Sequence, residues 1–136
     1  FQTNAGVVTL TITLKGYCMG LDVGFYRNKE EIFYLRNHRD FLTLFDEDIG
    51  GRVNDIYNDF YVTLETIDLV DAMLAELFID CKIPASSALT EVSDRIHEMD
   101  ARDEDLKDLL CYYPAIIRML RADITKHGPL ICGWSA

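Results

Sequence analysis

Basic side chains are scarce in this chain: Lys and Arg together number 13, Asp and Glu 23, and the formal net charge is −10. Such a balance repels phosphate backbones and anionic membrane surfaces, so direct nucleic-acid or lipid binding is not expected. Long apolar runs are also missing. The stretch 72–79 is interrupted by Glu76, and nothing approaches the ~20 residues needed to span a bilayer. Close cysteine pairs are absent too, since Cys18, Cys81, Cys111 and Cys132 are widely separated. That spacing matches neither a zinc ligand set nor a dithiol redox motif. Reduced, mostly buried cysteines in a cytoplasmic setting are expected. No glycine-rich phosphate loop follows a strand, and neither G-x-S-x-G nor H-E-x-x-H occurs. The first residues carry no secretory signal, and Phe1, Gln2, Thr3, Asn4 and Ala5 read as the remnant of an engineered protease site plus vector residues. A single domain is therefore expected over 6–136, and 136 residues with 49% hydrophobic side chains are ample for one core.

What the chain does have is acidity gathered in one region. Nineteen of the acids lie within 40–108, against five bases, a formal −14, whereas 1–39 and 109–136 each carry +2. A regional negative potential accelerates encounter with basic proteins in a salt-dependent way. Solubility of an acidic surface is the plainer explanation of the same charge.

Hydrophobic periodicity predicts the elements. Residues 8–14 alternate strictly, with Val8, Leu10, Ile12 and Leu14 on one face of a strand. Residues 21–27 read as a second strand. After the polar turn Asn28, Lys29, Glu30, residues 32–35 read as a third strand, or as the start of a helix with a capping box between Asn28 and Glu31. Asn37 or Asp40 is the expected cap of a short helix bearing Phe41, Leu42, Leu44 and Phe45. Val53, Ile56, Tyr57 and Phe60 have the spacing of another helical stripe, and residues 60–64 have strand-like chemistry. Thr66 is the expected cap of a helix to about Ile79. Ser86 or Ser87 opens the next, with Leu89, Val92, Ile96 and Met99 as its seam. Asp100 is expected to cap a further helix, Pro114 to open or kink the last, and Gly128 with Pro129 to end it. Residues 130–134 are apolar enough for an edge strand. The expected fold is α+β: an N-terminal antiparallel β-meander of about three strands, four to six helices packed on one face, and a C-terminal edge strand.

Two acidic clusters are the candidate partner-binding residues. Asp46, Glu47 and Asp48 sit beside the glycine pair Gly50 and Gly51. Asp100, Asp103, Glu104, Asp105 and Asp108 crowd an expected helix start, where the macrodipole alone favours negative charge. Tyr112 adds an aromatic with a polar tip, suited to an interface. The Asp46 cluster departs from the calcium-loop pattern, which would need a ligand where Gly50 stands and a Glu where Tyr57 stands. His38, His97 and His127 are scattered, and a nucleophile–base pair such as Cys18 with His97 has no sequence signal behind it. No catalytic residue, metal or cofactor is assigned. The expectation is a small acidic protein that neutralises a basic partner, in its specific form an immunity or antitoxin protein blocking a nuclease toxin. The alternatives are a structural or homo-oligomerisation domain cut from a larger protein, pairing through the apolar strands 7–14 or 130–134, and an enzyme with an unrecognised site.

Overall fold

A computed structural model describes residues 21–45 and 59–135. The alternating segment 8–14, the stripe through Val53, Ile56 and Tyr57, and the acids Asp46, Glu47 and Asp48 lie outside the described residues.

The chain's first described elements form a hairpin, β1 (Asp22–Arg27) and β2 (Glu30–Leu35). Asn28 and Lys29 join them at φ 51° and 68°, the left-handed pair whose twist suits a two-residue hairpin turn. Residues 32–35 are thus strand, and no helix starts at Asn28. Val23 pairs with Leu35 and Phe25 with Phe33, after which the register shifts so that Tyr26 faces Glu31. This bulge leaves Ile32 as the extra residue on β2.

Among the described residues four antiparallel strands make one sheet in the order β2-β1-β4-β3, with β3 at Phe60–Val62 and β4 at Leu130–Ser135. Phe60 therefore opens a strand rather than closing a helical stripe. The C-terminal strand is not an edge: β4 bonds to β1 on one side and β3 on the other. Its Leu130 and Cys132 are buried, and Ile131 and Cys132 pair with β1 and β3 at once, so those two residues offer no backbone for pairing between chains.

Core-facing rows of Val23, Phe25, Leu35, Val62, Leu130 and Cys132 are buried, whereas Tyr61 and Ile131 on the other face are exposed. Among the described residues there are three α-helices, against the four to six expected, and they supply most of the rest of the core. Helix α1 (Arg39–Thr43) has His38 at its N-cap without a side-chain cap bond. Asn37 is left-handed at φ 61° and Asp40 lies inside the first turn, so neither caps it. The helix brings Phe41 and Phe45 against Phe25, with ring centroids 5.6–6.0 Å apart.

Helix α2 (Leu64–Asp80) starts at Thr63, three residues before the expected cap. Thr66 is the other half of a capping box: its N–H donates to Thr63 Oγ1 at 3.3 Å, and its own Oγ1 accepts from Thr63 N–H at 3.2 Å. Ile67, Val70, Met73, Leu74, Leu77 and Phe78 form the buried stripe the periodicity predicts. The helix ends in a Schellman turn, with Lys82 N–H on Ile79 O and Ile83 N–H on Phe78 O. Lys82, at φ 58°, occupies the left-handed position that glycine usually fills.

Residues 85–99 depart most from expectation. No α-helix forms there; two 3-10 turns, Ala85–Ser87 and Asp94–Glu98, stand in its place. The seam still turns inward, with Ile96 and Met99 buried and Leu89 and Val92 partly so. Asp100 begins no helix either. A single helix α3 (Leu106–His127) runs through Pro114, capped by Asp105, whose carboxylate accepts from Lys107 N–H. Pro114 has no N–H for the Leu110 carbonyl, and in that same turn Cys111 O accepts an outside donor, Leu89 N–H at 2.9 Å. Helices α2 and α3 pack together, and Arg27 ties β1 to the end of α3 through Asp123 (2.6 Å) and Gly128 O (2.6 Å).

Candidate functional site

The second acidic cluster is divided by the fold among different tasks. Asp100 serves the chain itself. Its Oδ1 accepts from Arg102 N–H (2.9 Å) and Nε–H (3.0 Å), its Oδ2 from Arg102 Nη2 (2.6 Å), and Asn37 Nδ2 reaches it at 3.3 Å. The Arg102 hydrogen bond holds this carboxyl below the usual range. Asp105 is committed to capping α3. Asp103 and Asp108 are exposed, and Glu104 is half-buried.

Glu104, Asp108 and Tyr112 come together. They line a groove of about 410 Å³ with Cys111 on one side and Leu89, Arg95 and Met99 on the other. The helical wall follows from spacing, because Asp108, Cys111 and Tyr112 stand at i, i+3 and i+4 on one face of α3. The opposite wall is the irregular segment, fastened at Leu89 N–H to Cys111 O and at Ala101 N–H to Asn37 O (3.0 Å). Asp108 and Tyr112 on the helix, with Glu104 just before its cap, make this wall suited to guanidinium or ammonium groups, by charge-assisted hydrogen bonds and by contact with the ring face. Arg95 gives the other wall a positive group, so the groove has a polarity across it rather than a uniform sign.

A buried histidine links the 3-10 turn to α3. His38 is fully buried; its Nε2 lies 3.1 Å from Ile96 O and its Nδ1 3.0 Å from Tyr113 Oη. A carbonyl can only accept, so Nε2 carries the proton, and Nδ1 of the neutral ring accepts from the Tyr113 hydroxyl. Burial lowers the His38 pKa and raises that of Tyr113 well above the ordinary phenol. This histidine is thus a structural strut between the 3-10 turn and α3. His97 is exposed and its ring lies 5.6 Å from that of Phe33.

Cys81, Cys111 and Cys132 are free thiols. Burial pushes all three up, with Asp108 adding to the effect at Cys111. None of them is a thiolate at neutral pH, which is what nucleophilic use would need. Among the described residues no three His, Cys, Asp or Glu side chains converge as a metal site, and no helix is long and apolar enough to cross a membrane.

No family model matches the chain, and neither does a curated protein sequence or a solved structure.

Of the residues that the sequence offers as partner-binding, the fold brings Glu104, Asp108 and Tyr112 into the groove; Leu89, Arg95, Met99 and Cys111, which also line it, are not among them. Leu89 and Met99 belong to an apolar pattern that predicts burial without saying that the segment would lie unwound beside α3 and leave a trough. Asp46, Glu47 and Asp48 lie outside the described residues.

Proposed function

We propose that the chain is a small acidic binding protein whose partner is a basic protein, with an immunity or antitoxin protein that blocks a nuclease toxin as the specific form. One observation carries the reading: Glu104 and Asp108 stand with Tyr112 in a single groove, two carboxylates beside a phenol. Carboxylates so held would meet the Lys and Arg side chains with which a nuclease binds phosphates, and Tyr112 would supply contact area. The regional charge adds long-range attraction, so association is fast and salt-sensitive.

The test is co-purification with the proteins of the source cell, followed by kinetics on the recovered partner. A basic protein is expected on the wild-type chain and not on Glu104→Gln/Asp108→Asn/Tyr112→Ala. Its association rate is expected to fall by about tenfold or more between low and high salt. A partner that binds the triple variant equally well, or an association rate indifferent to ionic strength, removes this reading.

A further inference from the structure

On the sheet face turned away from the helices, the strand register sets Tyr34, Gly24 and Gly133 side by side on β2, β1 and β4. Asp59, just before β3, completes the row: a Cβ built on Gly133 would lie 3.2 Å from its Oδ1. Two adjacent glycines in the middle of a sheet weaken it, because each loses more chain entropy than any other residue and gives the neighbouring strands nothing to pack against. What they provide is bare backbone. At Gly24 the space is taken by the Tyr26 ring, which folds back so closely that a Cβ there would collide with it. The remainder is a hollow of about 210 Å³ floored by glycine backbone and walled by Tyr26, Tyr34, Asp22 and Asp59.

The walls have one charge sign. Asp22 accepts from the Tyr34 hydroxyl at 2.6 Å and from Asn37 N–H at 3.0 Å, both neutral donors that orient the carboxylate without cancelling it. Among the described residues, none lining the hollow is basic. Both phenols feel the anionic surroundings: Tyr34 is raised chiefly by its bond to Asp22, and Tyr26 by burial and then by Glu31, with Asp59 contributing. An anion would be repelled here, and a neutral guest would leave two carboxylates uncompensated. A cation compensates them and gains the ring faces.

We propose that this hollow is a receptor for a compact organic cation, a guanidinium or alkylammonium head held against the Tyr26 and Tyr34 rings and neutralised by Asp22 and Asp59. The head could belong to a free amine or to a side chain of a basic protein; the chemistry is shared. The site is separate from the groove at Glu104 and Asp108, and stands or falls without it.

Amide spectra of the intact chain can be titrated with three probes: choline, a doubly blocked arginine, and 3,3-dimethylbutanol, the uncharged isostere of choline. Saturable shifts at the Gly24 and Gly133 amides are expected with at least one cation and not with the alcohol. Saturation by the arginine probe alone identifies a basic side chain as the natural source, and saturation by choline alone a quaternary amine. Gly133→Val, which fills the floor with a residue suited to strands, is expected to abolish the shifts. Asp59→Asn changes an exposed side chain, keeps the fold, and is expected to weaken binding about fivefold or more. The proposal is overturned by equal saturation with the neutral alcohol, by no saturable shift with either cation at millimolar concentration, or by unchanged affinity in Asp59→Asn.

Discussion

Helix α2 and residues 85–99 both put apolar side chains at three- and four-residue spacing under an acidic outer surface, and both bury them, yet only α2 is an α-helix. Composition separates the two. Leu64, Leu69, Ala72, Met73, Leu74, Ala75, Glu76 and Leu77 are strong helix formers, started by the Thr63–Thr66 box. The other segment follows Pro84 and contains Ser86, Ser87, Thr90, Val92, Ser93 and Asp94. These are β-branched, or compete for backbone hydrogen bonds through short polar side chains. Its backbone groups therefore find partners elsewhere, Leu89 N–H at Cys111 O and Ile96 O at His38. Periodicity reported the buried face in both regions, and local propensity decided which could also close a helix.

The contrast breaks most visibly at Ile96. Ile96→Ala removes a fully buried side chain from a segment with no helix to fall back on, and should cost about 3 kcal/mol in denaturant unfolding, with loss of amide protection across 89–101. Leu74→Ala in α2 should cost a similar amount while that helix keeps its protection, since alanine is the best helix former.

Next in size is the His38 strut. His38→Leu leaves Ile96 O and the Tyr113 hydroxyl without their partner, an expected loss of about 2 kcal/mol. Acid should loosen the same joint. Burial lowers the folded pKa below the ordinary 6.5, so beneath that pH the unfolded chain binds a proton that the folded chain refuses. Stability from this residue is complete above pH 6.5 and falls as pH drops toward the folded value, by at most about 1.4 kcal/mol per pH unit. Urea titrations from pH 7.5 to 5 should show that slope in the wild type and lose it in His38→Leu.

Smaller effects mark the ends of α2. Thr63→Ala should cost about 1 kcal/mol through the lost cap, measured by thermal unfolding, whereas Ser93→Ala, before a five-residue 3-10 turn, should cost less than half of that. Lys82→Gly should stabilise by about 0.5 kcal/mol, because glycine adopts the left-handed turn without a Cβ penalty. A destabilised Lys82→Gly would mean that the Lys82 side chain contributes more than its backbone strain takes away.

Much of the local structure was legible because it rests on neighbours in sequence. The strand 21–27, the turn at Asn28 and Lys29, the stripe of α2 and the stop at Gly128 all follow from periodicity or backbone chemistry within a few residues. The displaced caps have equally local causes: Thr63 and Thr66 form a reciprocal pair of which one member looks like a cap by itself. Gly24 and Gly133 also stood in the sequence as isolated glycines within strand patterns, a signal of close backbone approach. What could not be read is that they face each other, since that needs the register of two strands more than a hundred residues apart.

By itself, the sequence determined the α+β class, the apolar faces and the regional excess of acid, because each depends on residue type and short-range spacing. Only the tertiary structure decided that β4 lies inside the sheet, that 85–99 stays unwound against α3, and that Glu104 and Asp108 share a groove with Tyr112. Those outcomes depend on which distant backbone groups and side chains satisfy one another once the core has closed, and no spacing along the chain encodes that choice.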